Sequence, residues 1–259
     1  MGEMIFEYRR ILYAITAVEL AKRYSGSAFG KAWLVFYPLL LVSIYLFVYL
    51  VVFKTRFPGY SEFDYTLFVF AGLIPYIGLS DAITGGAVSV RQNIHLVKNI
   101  MLPIDLIPVR AVFAGMASEV VSVVIVLALV IINMDLTWRV ALLPLVFVLQ
   151  VMFAIGCTLI LAALVVALPD ISNFVNLSML LLMFVSPIGF KPEMVPSGFA
   201  PLIYLNPVHY MTDAFRTVML GSHAVNWLSL LVFAVMCIVT FAVGSAFFRR
   251  FKTFLVDYE

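Results

Sequence analysis

Six apolar stretches, each long enough to cross a lipid bilayer as a helix, leave this chain few alternatives to a membrane bundle. A spanning helix needs about 20 mostly apolar residues. Residues 34–53, 66–90, 107–133, 140–167, 171–190 and 227–248 each supply such a run. The fourth carries no charge, whereas the second and third hold Asp81, Arg110 and Glu119. Hydrophobic residues make up 64% of the chain and charged residues only 12%, against roughly 25% charged in soluble domains. One soluble core of this size could not hide so much apolar surface, so lipid is the solvent that fits. The fold expected is an all-α membrane protein with six transmembrane helices in a single domain, residues 1–259.

Charge sets the orientation, because Lys and Arg accumulate in cytoplasmic loops. Eleven of the sixteen basic residues fall before the first stretch, between the second stretch and the start of the third (Arg110 included), or after the sixth. Lys54, Arg56, Arg139, Lys191 and Arg216 fall on the other side. Both termini are expected in the cytoplasm. The charged start, MGEMIFEYRR, has no short apolar run leading to a small-residue cleavage site, so no secretory signal peptide is expected.

Three segments are structured without crossing. In residues 1–30, Met4, Ile5, Tyr8, Ile11, Leu12, Ile15 and Val18 share one helical face opposite Glu3, Glu7, Arg9 and Arg10. That pattern suits an amphipathic helix lying in the interface. Glu19, Lys22 and Arg23 rotate onto the apolar side, which predicts a bend near Val18–Ser25, and Ser25-Gly26-Ser27 supports a break there. In residues 91–106, Ile94, Val97 and Met101 form a short helical face that Pro103 ends. In residues 191–226, Asn206-Pro207 reads as a helix start with Asn as N-cap and Pro in the first helical position. That helix should run to about Leu220 and stop at Gly221. At about 20 Å it is too short to cross a core of about 30 Å, so it is re-entrant or interfacial.

Chemistry-bearing motifs are scarce. Gly26 to Ala32 resembles a phosphate loop but has three residues between its glycines, not four, and Ala after Lys31. His95, His209 and His223 lie far apart, and Cys157 and Cys237 sit inside apolar runs, so neither a metal site nor a catalytic centre is expected. Glu119, beside Ser118 and Ser122, is either functional or a bundle-facing carboxyl paired or protonated in place. Asp81, with Gly85 and Gly86 nearby, reads as a helix–helix contact. Two stripes stand out. Ser172, Asn176, Met179, Met183 and Ser186 follow one face of the fifth stretch, as a packing seam or a pathway lining. Tyr37, Tyr45 and Tyr49 line one face of the first, after Trp33, as an interfacial belt or a conduit wall that would suit sugar rings.

Taken jointly, the motifs resemble a known family. Lys22-Arg23-Tyr24 followed by Ser27, Gly30, Trp33 and Pro38 matches an Arg-Tyr-x-x-Ser-x-x-Gly-x-x-Trp pattern. Asn93, Leu96, Lys98, Met101 and Pro103 form a second match. Phe184-Val185-Ser186-Pro187-Ile188, Leu205-Asn206-Pro207 and Phe215-Arg216 form a third. Over nearly its whole length the chain is similar to membrane subunits of type 2 ABC exporters of polysaccharide, most of all O-antigen exporters. It departs from them in having Pro169-Asp170 where relatives often have Arg-Asp, which leaves the partner of Asp170 open.

The resemblance implies a bacterial inner-membrane permease that forms a homodimer around a central conduit for a lipid-linked polysaccharide. ATP and magnesium would belong to two separate cytoplasmic ATPase subunits; this chain would hold no cofactor, metal or nucleic acid. Asn93, Ile94, His95, Leu96, Val97 and Lys98 would form the coupling helix against the ATPase. Tyr37, Tyr45, Tyr49, Asn176, Met179 and Met183 would line the channel. Pro187, Asn206, Pro207 and Arg216 would belong to an outer gate, and Arg23, Tyr24 and Trp33 to the interfacial segment. Other readings are an ABC exporter of a drug or lipid, and an ion-coupled carrier using Glu119.

Overall fold

The computed structural model of the chain describes residues 6–23, 25–52, 61–93 and 103–257. Among these residues the fold is all-helical, with nine α-helices and no strand. In chain order they are α1 (Arg9–Arg23), α2 (Trp33–Leu46), α3 (Glu62–Gln92), α4 (Leu106–Ile132), α5 (Leu143–Ala167), α6 (Ile171–Val185), α7 (Ala200–Tyr204), α8 (Pro207–Met219) and α9 (Trp227–Asp257). Among the described residues, α3, α4, α5 with its leading 3₁₀ turn, and α9 are the four helices long and apolar enough to cross a membrane.

The other two expected crossings are shorter as helices. α2 runs 14 residues and continues through a π-helical segment, Phe47–Val52. α6 ends after 15 residues, although the apolar run goes on to Phe190. Pro187 is the cause: the residue before a proline is driven from the helical region, and Ser186 is extended at φ −78°, ψ 146°.

α3 forms the hub, buried along nearly its whole length against α4, α5, α6 and α8. Ser61 caps it reciprocally: its hydroxyl accepts from Asp64 N, and its own N–H donates to Asp64 Oδ2 at 3.2 Å. Asn133, just past the end of α4, donates to Asp64 Oδ1 at 2.8 Å. The start of α3 therefore meets the end of α4. At the opposite end of the bundle, α1 lies against α4, with Leu12 buried and Ile15 packed on the core.

The bend expected between Val18 and Ser25 does not interrupt α1, which is continuous to Arg23. The chain breaks after it, where Gly26 takes φ +80°, a conformation open to glycine. The charges that spoil the apolar stripe face partners on α3 and α4 instead, as described below. α8 forms as expected, with Asn206 Oδ1 accepting from Val208 N at 2.9 Å and Pro207 in its first turn.

Candidate transport site

At the α8 end, one arginine joins three elements. Arg216 is only 3% exposed. Its Nε donates to Phe68 O on α3 at 3.0 Å, and its two terminal nitrogens donate to Pro187 O at 2.8 Å and Ile188 O at 2.6 Å. The guanidinium also lies 3.6 Å over the Phe68 ring, a cation–π contact. Pro187 and Ile188 follow the end of α6, where helical carbonyls lose their partners. Arg216 therefore satisfies the carbonyls that the Ser186-Pro187 break leaves bare. Asn206 adds a second tie, donating from Nδ2 to Ser186 Oγ at 2.8 Å, and Ser186 Oγ donates to Leu182 O. Tyr65 donates to Gly189 O at 3.0 Å, and Tyr76 to Met179 O. The end of α6 is thus pinned to α3 and α8.

A second buried arginine does the same at the far end of α8. Arg139 donates to Leu220 O at 3.1 Å, Gly221 O at 2.7 Å and His223 O at 3.1 Å. Next to it, Gly221 N donates to Asp135 O at 2.9 Å and Ser222 Oγ to Asp135 Oδ2 at 2.9 Å.

Midway along the bundle, Glu119 of α4 is 2% exposed. Gln150 of α5 donates to its Oε2 at 3.0 Å and to Pro75 O of α3 at 2.9 Å. Gly78 of α3 leaves room for this carboxyl, since a Cβ there would run into the Glu119 side chain. Glu119 is the centre of a polar contact among three helices.

The α1 end is held by ion pairs. Arg23 of α1 lies 3.5 Å from Asp81 of α3, and Glu19 lies 3.6 Å from Arg110 of α4. Lys252 of α9 lies 3.5 Å from Asp105, just before α4. Glu19, Arg23 and Asp81 border an open cleft lined also by Lys22, Gly85 and Gln92.

Residues 10–220 match the family model described as ABC-2 type transporter. The chain belongs to this ABC-2 membrane family. The chain is 30% identical over 246 residues to an O-antigen export system permease protein RfbA from Klebsiella pneumoniae, covering 93% of this chain and 92% of the relative. It is 26% identical over 248 residues to an RfbA permease of the same description from Myxococcus xanthus, covering 95% and 94%. This ABC-2 permease is accordingly a multi-pass membrane transport subunit.

The residues singled out in the sequence fall into three groups within the permease. Pro187, Asn206, Pro207 and Arg216 come together at the α8 end. The α6 stripe divides: Asn176 is exposed, Ser172 half-buried, Met179 and Met183 turn partly into the core, and Ser186 is buried at the break. Tyr37 is half exposed and borders, with Pro38 and Leu41, a small hollow above Glu119 and Ser122. Trp33 donates to Ser27 Oγ at 2.8 Å, and Arg23 makes its ion pair. Ile94, His95, Leu96, Val97, Lys98 and Tyr24 lie outside the described residues, as do the side chains of Tyr45 and Tyr49. Asn93 caps the end of α3, its Nδ2 donating to Ser89 O at 2.8 Å. Asp170 precedes α6 with no side-chain capping bond.

Arg139 and Gln150 were missed as structural centres. Each had a signal: Gln150 is a lone carboxamide in the charge-free stretch, and Arg139 stands next to a span on the side poor in basic residues.

Proposed function

We propose that this permease is the membrane half of an ATP-driven exporter that carries a lipid-linked, O-antigen-like polysaccharide across the cytoplasmic membrane. It would act as a homodimer with two cytoplasmic ATPase subunits. The observation that carries the reading is similarity to O-antigen export permeases over more than nine-tenths of both chains.

The helix contacts support six crossings with both termini on one side. α3 begins near α8, where Arg216 reaches Phe68 O, and α4 begins near α1, where Arg110 meets Glu19. α5 starts at the α8 end through Arg139, α6 finishes there, and α9 returns to Asp105 near α1. α2 with its π-helical extension would make the remaining crossing. The α8 end is then the outer face and the α1 end the cytoplasmic one, consistent with the distribution of Lys and Arg.

Exposed polar side chains on α6 support a conduit. Asn173, Asn176 and Ser178 are exposed on α6, an apolar helix that this reading places in the membrane. Lipid leaves such groups unsatisfied, whereas a second copy or a water-filled passage does not. In the complex, closure of the ATPase pair would push on the loop after Asn93 and shift the helices at the α1 end.

Deleting the gene should abolish surface polysaccharide and leave lipid-linked glycan on the cytoplasmic side, with restoration by the wild-type copy but not by a copy carrying Asp at Ile94 or Leu96. Undiminished surface polysaccharide in the deletion strain would sink the export reading. The ion-coupled reading is answered by Glu119→Gln: full export in that variant removes it.

A further inference from the structure

The α8 end contains a cavity of about 370 Å³ that the export reading does not use. It opens between α8, the chain from Lys191 to Tyr204, and the loop that leads into α9. Its volume is in the range of small-ligand sites, and its chemistry narrows the ligand.

Charge comes first. One Lys and one Arg face the cavity against one Glu and one Asp, Lys191 and Arg216 against Glu193 and Asp213. The Arg216 donors already serve three carbonyls, and Asp213 Oδ1 accepts from His223 Nε2 at 2.9 Å. A balanced lining of this kind has no excess positive charge for a phosphate. It also has no metal site, since no group of three or more His, Cys, Asp or Glu able to hold a cation occurs among the described residues.

What remains is a mixture of neutral donors and acceptors beside a flat ring. Asn226 uses its Oδ1 to cap α9 through Ser229 N at 3.1 Å, which leaves its amide N–H groups to the cavity side. His209 lines the cavity with its ring, while its unpartnered Nδ1 is closed off from the open space. Tyr204 stands edge-on to His209 at 5.6 Å between centroids and remains 54% exposed. A ring face takes the C–H side of a sugar, while the Glu193 carboxylate and the Asn226 amide take its hydroxyls, which both donate and accept.

We propose that this cavity is a binding subsite for one uncharged sugar unit, a hexose or deoxyhexose. On the export reading it holds a unit of the glycan at the outer face, next to the break in α6 that Arg216 secures. The assignment of that glycan as the sugar's source rests on the export reading; the binding chemistry does not.

The test is ligand-observed saturation-transfer NMR on the full-length chain in lipid nanodiscs, with methyl α-mannoside and rhamnose as probes and galacturonate and inorganic phosphate as comparisons. The expected result is saturable binding of a neutral probe, weakened about tenfold in Tyr204→Ala and in Glu193→Gln. Tyr204→Phe should retain it, as should Leu202→Ala on the same short helix. If Tyr204→Ala proves unstable, Glu193→Gln carries the test alone, because its side chain is not part of the helix packing. Absence of saturable binding, preference for galacturonate or phosphate, or binding indifferent to both variants would each overturn the proposal. The two readings fail separately. Sugar binding with intact surface polysaccharide in the deletion strain removes the export reading and keeps the cavity; lost polysaccharide without sugar binding does the reverse.

Discussion

The two ends of the bundle are held by different chemistry. At the α8 end, two arginines are almost completely buried and spend their donors on backbone carbonyls: Arg216 on Phe68, Pro187 and Ile188, and Arg139 on Leu220, Gly221 and His223. At the α1 end, the Arg23 and Asp81 side chains are 43% and 36% exposed and meet at 3.5 Å. A buried charge-assisted hydrogen bond contributes about 1.5–3 kcal/mol, whereas an exposed ion pair contributes roughly 0–1 kcal/mol. The α8 end is therefore built as one rigid block. At the α1 end the Arg23–Asp81 pair can be exchanged at little cost, whereas Arg110 and Asp105 in the other two pairs are buried. On the proposed export reading, such asymmetry would permit small shifts where force enters and keep a firm seat where the passage closes.

The largest expected effect tests the rigid end. Arg216→Ala strips three carbonyls of their donor in a buried place, each costing about 1–3 kcal/mol when left unsatisfied, and should destabilise the protein by at least about 3 kcal/mol, read as a lowered Tm in nanodiscs. Arg216→Lys should recover only part of this, because an ammonium cannot reproduce the fork that reaches Phe68, Pro187 and Ile188 together. A Tm within a degree or so of wild type for Arg216→Ala would erase the contrast between the ends. Arg139→Ala comes next. It leaves the carbonyls of Leu220, Gly221 and His223 without this donor near a more open surface, and about 2–3 kcal/mol is expected.

Much of this division was legible in the sequence, for reasons that can be named. α8 was readable residue by residue, because Asn206, Pro207 and Gly221 are local signals whose physics needs no tertiary context. Four of the six expected spans, α3, α4, α5 and α9, were readable from hydropathy alone. The early end of α6 was not taken from the sequence, although Pro187 announces it, because apolarity continues past the proline. The course of α1 was misread for the opposite reason. Glu19 and Arg23 spoil the apolar stripe locally, and only their partners Arg110 and Asp81, some 60 to 90 positions along the chain, show why the helix tolerates them. Gln150 and Arg139 illustrate the same limit: composition marks them as unusual, but the carbonyls and carboxylate they serve come from distant segments.

A smaller effect distinguishes the ends by pH. Burial holds the His209 imidazole below its ordinary pKa, with Arg216 adding to the shift while Asp213 and Glu193 oppose it. The unfolded chain therefore takes up a proton at His209 before the folded one does. Stability from this group is complete above the unfolded value of about 6.5 and is lost as pH falls from there through the lower folded value. Moving from pH 7.5 to 5.5 should lower the Tm of the wild type more than that of His209→Gln. Equal losses in the two proteins would show that the α8 end is not the acid-sensitive one.

The smallest expected effect belongs to the Arg23–Asp81 pair, and its smallness is the point. A double-mutant cycle with Arg23→Gln and Asp81→Asn should return a coupling of about 0.2–1 kcal/mol, and raising ionic strength should shrink it, because exposed charges are screened within about 10 Å at 0.1 M salt. On Arg216 such a cycle reaches the Phe68 ring but not the three carbonyls it donates to, which no substitution removes. A coupling above about 2 kcal/mol, insensitive to salt, would mean that Asp81 is effectively buried when the protein sits in lipid. The α1 helix would then be clamped as firmly as α8. Motion delivered at that end could no longer be taken up by sliding α1 against α3, and would have to pass through the helices as rigid bodies.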